Sequence, residues 1–138
     1  MRHTLRPLPC LLLLAAGCGN PSSLPPTSEI ESMRGVVYDT DAGKKAEFAV
    51  APEHWPAING ALLPATRDSN PAKWVSVGKL DIGKRGGGRC TVWLFKTSGG
   101  PGAFAVGEDW DHRVYYRGGE SAKLLAALAT ARAASEGR

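Results

Sequence analysis

WVSVGKLDIGKRGGGRCTVWLFKT, residues 74–97, is the stretch that decides the fold. Two runs rich in β-branched and aromatic residues, 74–82 and 90–97, lie on either side of the glycine-rich segment 83–89. Such a pattern predicts two antiparallel strands joined as a hairpin. The apolar alternation changes phase at Gly78. We therefore expect a β-bulge or bend there.

Short β-rich runs before and after this hairpin extend the predicted sheet. The additional strands are expected at 33–39, 46–50, 102–107 and 112–118, whereas 64–72 has the composition of a loop. Helices are expected over 52–63, with Trp55, Ile58 and Leu62 on one stripe, and over 120–135, with Leu124, Leu125, Leu128 and Ala131 on one face. The sequence thus predicts a single small α+β domain: an antiparallel sheet of about five to six strands, packed on one face by two helices, the second C-terminal.

Charge excludes one class of partner. The 138 residues carry 17 basic and 13 acidic side chains, and only segment 83–89 concentrates the basic ones. This scattered pattern does not indicate a nucleic-acid-binding surface. Part of the formal charge of +4 comes from Arg2 and Arg6, without which it is +2.

The N-terminus has the composition of an export signal. The apolar run from Leu8 to Ala16 is far shorter than the roughly 20 residues that a membrane-spanning helix needs. Basic residues precede it and small residues follow it, which is typical of a cleaved signal peptide. Residues 1–17 are therefore predicted to be removed.

The segment Leu14-Ala15-Ala16-Gly17-Cys18 resembles the lipobox of bacterial lipoproteins. This resemblance covers the first twenty residues. It implies cleavage before Cys18 and acylation of Cys18, so that membrane lipid is a partner; the alternative is an ordinary signal whose Cys18 stays unmodified. Gly19 stands where inner-membrane lipoproteins carry aspartate, which implies the outer membrane, facing the periplasm, or the cell surface. Residues 18–32, rich in proline and serine, are predicted to form a flexible tether to a domain at 33–138.

The C-terminal part carries a second resemblance. GPGAFAVG (100–107) and YYRGGESAKLLAAL (115–128) are similar to segments of small bacterial lipoproteins and exported proteins that close with a tyrosine-rich strand, a Gly-Gly turn and a helix. The similarity covers 74–131. It implies the α+β fold, and no activity is established for these proteins that could be transferred.

Cys90 is the candidate nucleophile. Cleavage removes Cys10 and acylation uses Cys18, so Cys90 has no disulfide partner within its own chain. Because free cysteine is usually buried, we expect Cys90 to lie in the core. The competing interpretation is a thiol-dependent or hydrolytic envelope enzyme in which His112 activates Cys90.

Two further motifs are weak candidates for ligand binding. The segment GKRGGGR (83–89) contains glycines and cations, as phosphate-binding loops do, but it leads into a strand rather than a helix. GEDWDH (107–112) contains enough oxygen and imidazole ligands for a cation but lacks EF-hand spacing. We expect a solvated hairpin tip and an acidic loop tip, with no metal and no cofactor.

Trp110 is the candidate interface residue. It lies between Asp109 and Asp111, and an exposed tryptophan among polar groups is typical of a binding hot spot. The alternative is that Trp110 folds back onto the sheet. The sequence favours a membrane-anchored, extracytoplasmic and non-catalytic domain that binds an envelope protein or a small ligand; a purely structural envelope component is a third alternative.

Overall fold

The computed structural model describes residues 24–39, 43–69, 74–97 and 102–138. In these ranges seven antiparallel strands form one sheet, in the order β2-β1-β4-β5-β6-β7-β3. The strands are β1 (Ile30–Asp39), β2 (Lys44–Ala49), β3 (Ala65–Arg67), β4 (Val75–Lys84), β5 (Arg89–Lys96), β6 (Ala103–Gly107) and β7 (Val114–Gly118). The helices are α1 (Trp55–Leu62) and α2 (Ser121–Glu136), and short 3-10 turns lie at Thr27–Glu29 and Pro52–His54.

The central hairpin forms as the sequence predicts. Strands β4 and β5 pair antiparallel, and their register shifts between Ser76 and Gly78. A side chain at Gly78 would collide with the carbonyl oxygen of Val36 on the neighbouring strand β1. The predicted bulge is therefore confirmed, and glycine is required there because two backbones approach closely.

The sheet has one strand more than the upper limit of the prediction. The additional strand is β3, which lies within the segment 64–72 that was expected to be a loop. It pairs with β7, with Thr66 opposite Arg117, at one edge of the sheet. The strand has only three residues, of which one is apolar, so its sequence shows no alternation. It forms because it pairs with the free edge of β7.

The folded part of the chain begins before residue 33, the expected start of the domain. Strand β1 starts at Ile30, which is fully buried, and Leu24 belongs to the same core. The side-chain amide of Asn59 on α1 donates a hydrogen bond of 3.2 Å to the carbonyl oxygen of Pro25. The segment 24–32 is therefore part of the domain rather than of a tether. Residues 18–23 lie outside the described residues.

Both helices pack on the same face of the sheet, as predicted. The core beneath them combines α1 residues, α2 residues and the inward-facing residues of the central strands, among them Phe104, Leu80, Ile82, Val92 and Leu94. Leu124, Leu128 and Ala131 of α2 are buried, whereas Leu125, also expected on the apolar face, is 49% exposed. Spacing of three and four residues keeps the first three on one side. Leu125 lies beside that stripe and lines a surface groove with Val37 of β1.

Candidate binding surface

The face of the sheet opposite the helices carries an unusual set of side chains. Two small residues of β6 lie in the middle of this face: Ala105 is between Trp93 of β5 and Tyr115 of β7, and Ala103 is between Phe95 of β5 and Arg117 of β7. Rings from both sides can therefore lie over the middle strand. Together with two loop tryptophans and two arginines they form what we term the aromatic–arginine ladder: Trp93, Trp110, Arg113, Tyr115, Trp74 and Arg117.

The first half of the ladder holds the loop between β6 and β7. The rings of Trp93 and Trp110 meet edge to face, with centroids 5.6 Å apart. The guanidinium carbon of Arg113 lies 3.4 Å from the Trp110 centroid and 5.1 Å from that of Tyr115. Arg113 therefore sits between two aromatic rings, an arrangement in which the ring quadrupoles attract the cation.

Hydrogen bonds fix the orientation of the Arg113 guanidinium. Its Nε donates to the hydroxyl of Tyr115, and its Nη1 donates to the backbone carbonyl of Trp110. No carboxylate among the described residues forms an ion pair with Arg113. Among the described residues, its charge is contacted by two ring faces, the Tyr115 hydroxyl and the Trp110 carbonyl.

The second half of the ladder lies toward β3. The Trp74 ring lies 5.7 Å from that of Tyr115 and 5.6 Å from that of Phe95, which is buried beneath them. The guanidinium of Arg117 lies 5.5 Å from the Trp74 centroid, and its Nε donates a 3.0 Å hydrogen bond to Asp68. These contacts make a small second core on this face.

The rest of the same face is charged. Glu47 accepts contacts from Arg34 at 2.9 Å and from Lys45 at 3.0 Å, and Lys79 lies 3.2 Å from Asp81. Hydrogen bonds from Lys45 and then Arg34 lower the pKa of Glu47. Exposed ion pairs of this kind contribute little to stability. The face is therefore divided into an aromatic half and a charged half.

The loop that carries Trp110 is organised by Asp109. Its Oδ1 accepts hydrogen bonds of 2.9 Å from the backbone N–H groups of Asp111 and His112, and it lies 2.8 Å from Nδ1 of the His112 ring. The hydrogen bond from His112 lowers the pKa of the Asp109 carboxyl. Of the two predicted interface carboxylates, Asp109 thus shapes the loop, whereas Asp111 is exposed and forms no ion pair with a described residue.

Trp110 combines the two arrangements that the sequence left open. Its ring packs on Trp93 and Arg113, so it does fold back toward the sheet. Half of its surface, 50%, nevertheless remains exposed. Trp110 is therefore held in position by neighbouring side chains while it presents an aromatic surface to solvent.

Cys90 and His112 lie in different environments. Cys90 is 6% exposed and belongs to the core beneath the helices, which confirms the expected burial. Burial raises the pKa of the Cys90 thiol, against an opposing effect of the Lys84 charge. His112 lies in the exposed loop and interacts with Asp109. The structure does not bring the two together as a nucleophile and its base.

The glycine-rich segment forms the tip of the β4–β5 hairpin. Residues 85–89 are exposed, and Gly86, Gly87 and Gly88 have positive φ angles between +80° and +95°. Only glycine adopts three such conformations in succession without strain. Within the described ranges, no three His, Cys, Asp or Glu side chains are arranged to hold a metal ion, and this includes the acidic loop.

The predicted lipidation site, Cys18, and the predicted signal peptide, 1–17, lie outside the described residues. Neither helix in the described part of the chain has the length and apolar character needed to cross a bilayer.

Sequence reasoning missed two members of the ladder, Arg113 and Arg117. A signal for Arg117 exists in the strand parity of β7, whereas Arg113 precedes that strand. Tyr115 and Arg117 share one parity, and the buried Tyr116 has the other. Trp74, Trp93 and Tyr115 lie on the sheet face opposite the helices rather than in the main core.

Comparison of this chain with protein-family models, with curated proteins and with solved structures gives no match.

Proposed function

We propose that this protein is a lipid-anchored, extracytoplasmic binding module without catalytic activity, and that Trp110 is the centre of the surface that binds another envelope protein. The observation that carries this proposal is the state of Trp110: half exposed, yet held by Trp93 and Arg113. A tryptophan held in this way loses little conformational entropy on binding, because its orientation is set beforehand. Such aromatic residues dominate the energy of many interfaces.

The surroundings of Trp110 favour a protein partner. The ladder offers ring faces and guanidinium donors, and the charged half of the same sheet face offers a polar rim of Arg34, Glu47, Lys79 and Asp81. A desolvated aromatic centre within a polar rim is the usual composition of a protein–protein interface.

Attachment to the outer membrane, facing the periplasm, or at the cell surface is the second part of the proposal, and the lipobox-like segment ending at Cys18 supports it. Leu24 is already part of the core. The six residue steps from Cys18 to Leu24 can span at most about 20 Å, at ~3.3 Å per residue. Acylation of Cys18 would thus keep the domain near the lipid headgroups, where its partner would also have to be.

A cross-linked pull-down from native membranes tests the partner. Wild-type protein, Trp110→Ala and Leu125→Ala are compared, because Leu125 on α2 is as exposed (49%) as Trp110 but lies on the opposite side of the molecule. We expect one near-stoichiometric protein with wild type and Leu125→Ala, and its loss with Trp110→Ala. Capture of the same protein by Trp110→Ala, or of no specific protein by any form, would contradict the proposal.

Anchoring is tested separately by mass spectrometry and fractionation. The N-terminal peptide of the mature protein should begin at Cys18 and carry the added mass of acyl chains. Cys18→Ser should move the protein from the membrane fraction to the soluble fraction, since a single residue then removes the lipid. An unmodified Cys18 in membrane-associated protein would refute lipid anchoring and leave the Trp110 surface untouched.

A further inference from the structure

Two chain connections with opposite charge lie side by side at one end of the sheet. Strand β4 ends at Lys84 and β5 begins at Arg89, whereas β6 ends at Gly107 and β7 begins at Val114. Thr91 pairs with Gly107, so the two connections project from the same end. Their centres are two strand spacings apart, about 10 Å at ~4.8 Å per spacing.

The β4–β5 tip is basic, and its charges have no ion-pair partner in the described part of the chain. Arg85 and Arg89 are exposed, and Lys84 is half-buried next to them. None of the three forms an ion pair with any described residue. The backbone of this tip is nevertheless anchored, since the N–H of Arg85 donates a 2.8 Å hydrogen bond to the carbonyl of Glu29.

The β6–β7 loop is acidic, and two of its carboxylates are likewise without an ion pair to any residue that the structure describes. Glu108 and Asp111 are exposed and form no ion pair with described residues, whereas Asp109 is engaged by His112. The half-exposed Trp110 lies between these acidic residues in the chain. One end of the sheet therefore presents two cationic and two anionic side chains, together with an aromatic surface, all directed to solvent.

We infer that this end of the sheet pairs with the same end of a second copy of the chain. A two-fold axis perpendicular to the sheet, passing midway between the two connections, places the basic tip of each copy against the acidic loop of the other. Arg85 and Arg89 then face Glu108 and Asp111 of the second copy, and the reverse contact forms by symmetry.

Charge complementarity favours a second copy over an anionic membrane surface or an acidic protein. Glu108 lines the same cavity as Arg89, and Asp111 lies in the same loop as Glu108. These carboxylates would repel either of those partners, because like charges across an interface are costly. A partner matches both connections only if it places acidic groups opposite the β4–β5 tip and basic groups opposite the β6–β7 loop. A second copy in this orientation does so. The inference goes beyond the proposed function, because it uses the end of the sheet and leaves the Trp110 ring, which packs on Trp93 on the sheet face, to the other envelope protein.

Charge exchange between two variants tests this pairing. The lipid-free mature chain, residues 18–138 with Cys18→Ser, keeps every residue that the structure describes, and its oligomeric state is measured by sedimentation equilibrium over a wide range of concentration. Arg85→Glu/Arg89→Glu makes both connections acidic, and Glu108→Arg/Asp111→Arg makes both basic. We expect each variant alone to self-associate at least about tenfold more weakly than the parent, and an equimolar mixture to recover the parent's dimer.

A matched control changes the same amount of charge at the other end of the sheet. Lys44 begins β2 and Lys96 ends β5, and both are exposed there. Lys44→Glu/Lys96→Glu should dimerise like the parent. Added salt should weaken the parent's dimer, because ions screen exposed charges over about 10 Å at 0.1 M salt. Circular dichroism confirms that each variant is folded.

A parent chain that stays monomeric at every concentration would overturn the pairing, as would two charge variants that do not recover a dimer on mixing. Either failure is distinguishable from failure of the proposed function. If the chain is monomeric but still captures a different envelope protein through Trp110, the proposed binding function stands. Only the pairing with a second copy is then refuted.

Discussion

The guanidinium carbon of Arg113 lies 3.4 Å from the centroid of the Trp110 ring, three residues earlier in the chain. This contact connects the exposed loop to the residue that immediately precedes strand β7. Because Arg113 also donates to the Trp110 carbonyl, side chain and backbone of Trp110 are held by the same group. The exposed ring is thus held in a defined orientation without being buried.

Replacement of Arg113 by lysine should loosen this loop although the charge is kept. An ammonium group cannot lie flat on the Trp110 ring and donate to both Tyr115 and the Trp110 carbonyl, because it lacks the planar fork. We expect a loss of about 1 kcal/mol in the free energy of unfolding and a change in tryptophan fluorescence. Urea denaturation measures the first. Arg67→Lys, an exposed site outside the ladder, should change stability by less than about 0.5 kcal/mol; equal losses at both sites would contradict the stacking role.

Gly119 should tolerate no side chain, because two separate costs combine there. Its φ is +66°, and an added Cβ would collide with the carbonyl oxygen of Ala61 and lie 2.7 Å from the carbonyl carbon of Leu62. Gly43 has a similar φ of +61° but open space around it. Gly43→Ala should therefore cost only the left-handed backbone penalty of about 1–2 kcal/mol. Gly119→Ala should cost clearly more, at least about 3 kcal/mol in thermal or urea unfolding; similar costs would refute the close approach of α1 to this turn.

Cys90 should react slowly with iodoacetamide in the folded protein. Burial raises the pKa of its thiol, so the reactive thiolate is scarce, and the surrounding core excludes the reagent. We expect labelling in native buffer to be on the order of a hundredfold slower than in urea, since it requires opening of the core. Rapid labelling of the native protein would revive the thiol-enzyme interpretation.

The Asp109 carboxyl should titrate below its ordinary pKa, and this should depend on His112. The hydrogen bond from His112 favours the ionised carboxylate, so the folded-state pKa is depressed. Its stabilising effect is then present above the unfolded pKa of about 3.9 and is lost as pH falls through the depressed folded value. NMR titration of His112→Ala should show the Asp109 pKa rising toward normal, while that of Glu47, lowered by Lys45 and Arg34, stays low. A simultaneous rise at Glu47 would indicate a general effect of the substitution.

The sequence predicts the elements that have a strong local pattern. The hairpin of 74–97, its bulge at Gly78 and the C-terminal helix follow from alternation, glycine placement and helix propensity. The helix after Pro52 follows in the same way. These features depend on neighbours in the chain, and one sequence contains that information.

Elements that depend on a distant partner were missed. Strand β3 has no alternation of its own and forms against the edge of β7. Leu24 and Pro25 belong to a segment whose composition indicates a tether, yet Leu24 packs in the core and Pro25 accepts a hydrogen bond from Asn59, 34 residues away. Local composition cannot register such contacts, because the stabilising group lies elsewhere in the chain.

By itself the sequence determined the α+β class, the order of the main elements, the burial of Cys90 and the choice of Trp110 as the residue to examine. Only the tertiary structure decided that Trp110 is both packed and half exposed, that Arg113 and Arg117 stack among its neighbours, and that the acidic loop projects beside the basic tip. The physical reason is the distance along the sequence over which each effect acts. Periodicity and turn chemistry act over a few residues, whereas a ring stack and a pair of adjacent connections arise from strand register, which brings together residues far apart in the chain.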